Sequence, residues 1–316
     1  MNERSKAIVF LVITALLWSL GGLLIKLVNW NPVAIAGTRS AIAAGVILLV
    51  IKKPKTTWSA PKIGGALAYA ATVILFVTAT KITTAANAIM LQYTSPIYVA
   101  ILGMWLLKER TKLFDWLTIF IVFGGMAMFF VGKLSMDGIL GNILAAASGV
   151  SYALMVIFLR MQKDGSPVES VFWGNILTAI IGLPFMFQSA PDALGWLGLI
   201  LLGTVQLGIP YVLYSMAIKH VTALEAILIP VLEPILNPVW VFLMLGETPG
   251  IWALIGGIIV LSAITVRCLL SAKPIHCDTK SDTKNPQPSV AEMVPLTFRD
   301  DKDKRATFPR FTENIY

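Results

Sequence analysis

The stretch ALEAILIPVLEPILNPVWVF, positions 223–242, places two carboxyls, an amide and three prolines inside an otherwise apolar run. Ionisable groups in hydrocarbon are expensive and normally face a cavity or a partner. Pro230, Pro234 and Pro238 recur every four residues; each removes a backbone donor and frees a carbonyl about one turn back, so a helix here should be bent or partly broken. Glu233 and Asn237 are four apart and share a helical face, and Glu225 lies within about 80° of Glu233 around the axis. A carboxyl so placed could exchange a proton as substrate or ions arrive, or pair with a substrate ammonium, or be structural and bond a backbone amide or Arg39. Arg39, in AGTRSAIAA, offers a planar fork of donors suited to a substrate carboxylate, or alternatively an internal anchor for a carbonyl or a salt bridge. Lys26 stands near a span end, from which its stem can snorkel to the interface.

Neutral groups could complete such a site. Asn87, Gln92 and Tyr93 are candidates in one span, Trp18 and Ser19 in another, and Tyr152, Trp173, Asn175, Gln206, Tyr211 and Tyr214 further on. Each alone is also an ordinary packing residue, interhelical hydrogen-bonding group or interfacial anchor. Trp18, Trp173 and Tyr211 are the preferred cavity aromatics. Ala145, Gly149 and Ala153, and likewise Ala41 and Gly45, recur every four positions and read as close helix contacts. Gly21, Gly22, Gly256 and Gly257 suit either hinges or packing.

The elements that position these residues are membrane spans. Of 316 residues, 57% are hydrophobic and 13% charged, with a mean hydropathy of +0.78; a soluble domain carries about 25% charged residues. That balance excludes a soluble enzyme, a nucleic-acid-binding fold and a secreted disulfide scaffold. A spanning helix needs about 20 mostly apolar residues, and polar and Pro/Gly punctuation separates ten candidates: 7–28, 32–51, 62–80, 83–107, 113–132, 138–160, 168–188, 193–217, 221–245 and 250–271. The first follows Arg4 and Lys6 but is longer than a typical signal core, so it is expected to remain as a span.

Lys and Arg alternate sides unevenly. With the N-terminus inside, Arg4, Lys6, Lys52, Lys53, Lys55, Lys62, Lys108, Arg110, Lys112, Arg160, Lys163 and Lys219 fall inside, and only Lys26, Lys81 and Lys133 outside. Twelve against three predicts both termini cytoplasmic in a multi-pass protein of the inner or plasma membrane. The net charge of +8 is therefore a topology signal, and no nucleic-acid partner is expected.

Lys81–Glu109, KITTAANAIMLQYTSPIYVAILGMWLLKE, lies on Lys219–Glu247, KHVTALEAILIPVLEPILNPVWVFLMLGE, without a gap, offset by 138 residues. Asn87 thus corresponds to Glu225, and Ser95 to Glu233. Each half holds five spans with the repeated one fourth, and because five is odd the second copy must enter the membrane in the opposite sense. The expected organisation is a short cytoplasmic N-terminus, 1–6, a first repeat, 7–135, a second, 138–271, and a disordered cytoplasmic tail, 272–316.

With its Pro-centred fourth helix ending in WLLKER and again in FLMLGE, followed by a further apolar helix, the chain resembles the EamA branch of the drug/metabolite transporter superfamily. The resemblance covers about residues 7–271. It implies an all-α membrane protein of ten transmembrane helices as two inverted five-helix repeats, with a site for a small metabolite between the halves.

Other chemistry finds little support. His220 and His276 form no metal-binding pattern with Cys268 and Cys277, and no phosphate-cradling loop is present. No cofactor or catalytic residue is expected. The expected function is secondary transport of an amino acid or related polar or amphipathic compound, with proton or ion coupling an open addition. The alternatives are a broad exporter of amphipathic cations and a non-transporting membrane subunit.

Overall fold

A computed structural model describes residues 2–129, 138–236 and 251–271. Asn237, Pro238, the remainder of the ninth span and the tail lie outside the described residues. Every regular element among those described is helical. The helices are α1 (Glu3–Trp18), α2 (Gly21–Leu27), α3 (Pro32–Ile51), α4 (Ala60–Ile82), α5 (Ala85–Gln92), α6 (Ser95–Leu106), α7 (Leu113–Phe129), α8 (Ile139–Met161), α9 (Pro167–Met186), α10 (Ala193–Leu201), α11 (Ile209–Ala217), α12 (Ala223–Leu228) and α13 (Ile251–Ser271). A π-helical stretch, Leu202–Gly208, joins α10 to α11, and a 3₁₀ turn, Ile229–Val231, follows α12.

Among the described residues, seven helices are long and apolar enough to cross a membrane: Glu3–Leu27, Pro32–Ile51, Ala60–Ile82, Asn87–Leu106, Ile139–Met161, Pro167–Met186 and Ala193–Ala217. Two shorter apolar helices, Leu113–Met128 and Leu254–Leu270, accompany them. Their outward faces carry Leu49, Trp105, Phe120, Ile139, Leu197, Ile258 and Leu269, all exposed, as lipid-facing surfaces require.

Local chemistry sets the helix starts. Asn31 accepts from the amides of Val33 and Ala34, with Pro32 opening α3. Thr84 accepts from Asn87 N–H to start α5, and Thr222, its partner at the 138-residue offset, accepts from Glu225 N–H to start α12. The C-terminal ends match too: Lys81 Nζ donates to the Val28 carbonyl at 2.6 Å, and Lys219 Nζ to the Gly165 carbonyl at 2.7 Å.

Packing repeats in the same way. α4 lies on α8 as α11 lies on α1, α3 packs on α9, and α7 on α13. Gly149 lets α8 meet α5 closely: a Cβ there would come 2.8 Å from the Gln92 carbonyl oxygen. Gly125 on α7 likewise lies against Gly256 of α13. Ala41 and Gly45 depart from expectation. They are exposed, with nothing within 4 Å of a Cβ at Gly45, because α3 turns its other face inward: Gly37, Arg39, Ser40, Ala43, Ala44 and Ile47.

The fourth and ninth segments are both interrupted mid-course. The fourth breaks at Tyr93 and Thr94, between α5 and α6, and the ninth at Ile229–Val231; the two breaks overlap at Tyr93 and its offset partner Val231. The break at 229–231 is where the prolines predict one. In the fourth, Pro96, in the first turn of α6, has no N–H to donate back to Gln92.

Candidate functional site

A cavity of about 40 Å³ lies inside the bundle, lined by Trp18, Arg39, Thr72, Val73, Phe76, Gln92, Tyr93, Tyr152, Gln206, Leu207, Tyr211 and Glu233. Seven of these precede residue 138 and five follow it, so both halves of the chain build it. That volume has room for only a few waters.

Arg39 is buried at 2% exposure on the inward face of α3. Its Nη1 donates to Gln206 Oε1 at 3.1 Å, and Gln206 is carried by the π-helical stretch. Extra residues in a helical turn re-aim side chains and recur at functional sites. Gly203 makes the approach possible, since a Cβ there would lie 2.8 Å from the Arg39 carbonyl oxygen. Arg39 Nε and Trp18 Nε1, both donors only, have no hydrogen-bond partner among the described residues.

Glu233 stands among the helical residues 232–236, just past the 3₁₀ break. Its Oε2 lies 2.7 Å from the Tyr93 hydroxyl, which also sits 2.8 Å from the Pro230 carbonyl oxygen. The residue four on from Pro230 is Pro234, which has no N–H, so the ordinary helical donor is missing and Tyr93 takes its place. Gln92 donates to Ser148 Oγ at 2.8 Å, which in turn donates to the Thr72 carbonyl. The aromatic wall is a cluster around Trp18, whose ring centroid lies 5.0 Å from Tyr211, 5.5 Å from Tyr214 and 6.2 Å from Tyr152.

Of the fifteen residues expected at a site, Trp18, Arg39, Gln92, Tyr93, Tyr152, Gln206, Tyr211 and Glu233 meet around this cavity, and Tyr214 backs it through Trp18. The others fall elsewhere. Ser19 donates to the Leu16 carbonyl. Asn175 accepts from Tyr69 and donates to the Val171 carbonyl within its own helix. Trp173 packs on Trp58 and Phe172. Asn87 donates to Asn142 at 2.8 Å. Asn237 lies outside the described residues.

Glu225 does not share the cavity with Glu233. As the third residue of α12 it completes a capping box with Thr222, and its Oε1 takes Arg4 at 2.6 Å with Arg267 at 3.7 Å. The 3₁₀ turn between the two glutamates breaks the continuous 3.6-residue winding on which a shared face depended. Thr72, Val73, Phe76 and Leu207, which complete the wall, carried no signal, being ordinary residues of apolar helices.

Among the described residues, Glu225 belongs to a set of four ion pairs at one end of the bundle, each joining residues before and after position 138. The others are Lys62 with Glu169, Glu109 with Arg160 at 2.8 Å, and Asp115 with Arg267 at 3.1 Å. Lys62 and Glu169 are 6% and 5% exposed. Glu109 also accepts from Ala223 N–H, and Arg160 donates to the carbonyls of Ile218 and Lys219. Side-chain charges at span ends were visible in the sequence, but their pairing was not.

A helical bundle with at least seven bilayer-length apolar helices, built from two equivalent halves around a polar and aromatic cavity, is a multi-pass membrane protein of the transporter type. The EamA-like transporter family profile matches residues 5–131 and again 139–267, and the chain belongs to that family. It is 28% identical over 196 residues to an uncharacterized transporter of Archaeoglobus fulgidus, spanning 62% of this chain and 71% of that one. It is 27% identical over 207 residues to the uncharacterized transporter YdfC of Bacillus subtilis, spanning 63% and 68%. A protein crystal structure at 18% identity superposes with a TM-score of 0.72 over 86% of this chain and 100% of its own, a likeness of fold.

Proposed function

We propose that the protein is a secondary transporter moving a small metabolite, an amino acid or a related polar or amphipathic compound, across the cell membrane by alternating access. The observation that carries this is one cavity, built by both halves, holding the Arg39 guanidinium and the Glu233 carboxyl within an aromatic wall. In this proposal Arg39 receives the substrate carboxylate with its unused donor edge, while Glu233 receives the ammonium or exchanges a proton. A guanidinium in the cavity favours this over export of a simple cation, which it would repel.

The proposal includes ten spans as two inverted five-helix repeats with both termini cytoplasmic. Contacts that exchange between halves support it: Arg4 meets Glu225 while their offset partners Asn142 and Asn87 meet each other. Helix ends support it as well, since Arg4, opening α1, and Arg160, closing the equivalent α8, both reach the start of the ninth segment, Arg160 through Glu109. The ion-paired end holds most of the span-flanking Lys and Arg and is assigned to the cytoplasm. There the four pairs form a gate, closed in this conformation, which must part for the cavity to open inward.

The test is uptake into proteoliposomes of pooled labelled amino acids and amphipathic cations, with and without an imposed pH gradient, for wild type and Glu233→Gln. Gradient-driven amino-acid flux lost in the variant is expected. Cation flux alone would replace the substrate class, gradient-independent flux unaffected by the variant would leave a facilitator, and absence of flux for every compound would point to a non-transporting subunit.

A further inference from the structure

We infer that Tyr93 is a positioning residue that senses whether Glu233 carries a proton and transmits that state to the break in the ninth helix. The inference rests on the proposal that Glu233 exchanges a proton and adds how that event reaches the backbone.

A tyrosine hydroxyl has one proton to donate. Here its oxygen lies within hydrogen-bond distance of two acceptors, the Pro230 carbonyl at 2.8 Å and Glu233 Oε2 at 2.7 Å. The carbonyl can only accept. Both contacts are satisfied together only when the carboxyl is protonated: Glu233 donates to the Tyr93 oxygen, and Tyr93 donates to Pro230. When the carboxyl is ionised, the single Tyr93 proton turns to it, since a hydrogen bond to a charged acceptor is the stronger. The Pro230 carbonyl then loses Tyr93 and keeps a share of the Leu232 N–H, which also serves Ile229. No proton leaves Tyr93 in either state; it rotates between acceptors, and the proton gained or lost is that of Glu233.

The position gives this rotation its consequence. Tyr93 is at the break of the fourth segment and Pro230 at the break of the ninth, next to Val231, the offset partner of Tyr93. One hydroxyl thus ties the two interruptions together, and Pro234 is what leaves the carbonyl dependent on it. Among the described residues, the other titratable or charged groups lining the same cavity are Arg39 from α3, Tyr152 from α8 and Tyr211 from α11.

Amide hydrogen exchange of the segment 223–236, followed by mass spectrometry on the full chain in lipid nanodiscs across a pH series and corrected for intrinsic exchange, tests this without any substrate. Wild type should pass from protected at low pH to roughly threefold to tenfold faster exchange at high pH, the range a lost neutral hydrogen bond gives. The two variants should move in opposite directions. Glu233→Gln, whose amide donates to Tyr93 as the protonated acid does, should stay protected at every pH; Tyr93→Phe should exchange fast at every pH. Adding Pro234→Ala to Tyr93→Phe restores an N–H four residues on from Pro230 and should recover protection, which separates the lost hydrogen bond from misfolding. Wild-type exchange independent of pH, a shift of both single variants in the same direction, or no recovery in the double variant would overturn the inference. Because flux is measured separately, a pH-switched segment without flux would sink only the transport proposal, and proton-driven flux with an unresponsive segment only the role of Tyr93.

Discussion

Arg4 meets Glu225 at 2.6 Å at one end of the bundle, and the residues 138 positions away from each, Asn142 and Asn87, meet at 2.8 Å at the other. Residue i touching j′ while i′ touches j is the pattern a two-fold relation produces. The chemistry has diverged between the copies, with an ion pair where the first half has an amide in place of the carboxylate. The same geometric solution thus holds two ends of the molecule by different means.

Under the gating proposal, Glu225→Gln weakens the tie from α12 to both Arg4 and Arg267. A single cysteine placed at Val73, on the cavity wall, should then react faster with a membrane-impermeant maleimide from the cytoplasmic side. A gain of roughly threefold to tenfold is expected, the value of one charged contact of this exposure. Unchanged labelling would remove these pairs from the gate.

The Lys62–Glu169 pair is buried on both sides, so removing one partner strands a charge. Glu169→Gln should lower thermal stability in detergent by the equivalent of about 3 kcal/mol, and the double change Lys62→Met with Glu169→Leu should cost less than the single one. If the double variant were the less stable, the pair would be a net source of stability and not a requirement for mutual compensation.

Two glycines of α8 and α3 should respond in opposite ways to alanine. Gly149→Ala forces a Cβ to 2.8 Å from the Gln92 carbonyl and 3.1 Å from that of Leu91, and overpacking of this kind costs about 1–3 kcal/mol. Gly45→Ala meets nothing within 4 Å and should gain up to about 1 kcal/mol of helix propensity. Thermal unfolding of the two purified variants side by side measures the difference.

Arg39→Lys keeps a positive charge but loses the planar fork and its bond to Gln206. Under the proposed function, amino-acid flux should fall at least about tenfold, the scale of one lost hydrogen bond to a charged group, with little change in thermal stability. Flux retained in Arg39→Lys would mean that charge alone suffices at this position.

The amino-acid sequence determined the spacing of apolar segments, the 138-residue repeat, the break in the ninth segment and the placing of charges at span ends. Each is a property of residues near one another along the chain: hydropathy over about 20 positions, a recurring motif, a proline's missing donor. Helical spacing also placed Glu233 and Arg39 among residues needing an inward partner. What it could not assign was the partner, because periodicity gives angles about one helix axis and says nothing of which neighbour lies there. Tertiary packing therefore decided that Arg39 faces Gln206 and not a glutamate, that Tyr93 reaches across to Glu233 and Pro230, and that Asn175 and Trp173 serve their own surroundings. It also separated Glu225 from Glu233, since a 3₁₀ turn between them shifted the winding and Arg4 and Arg267, 221 and 42 positions away in sequence, stood close enough to hold the first carboxylate.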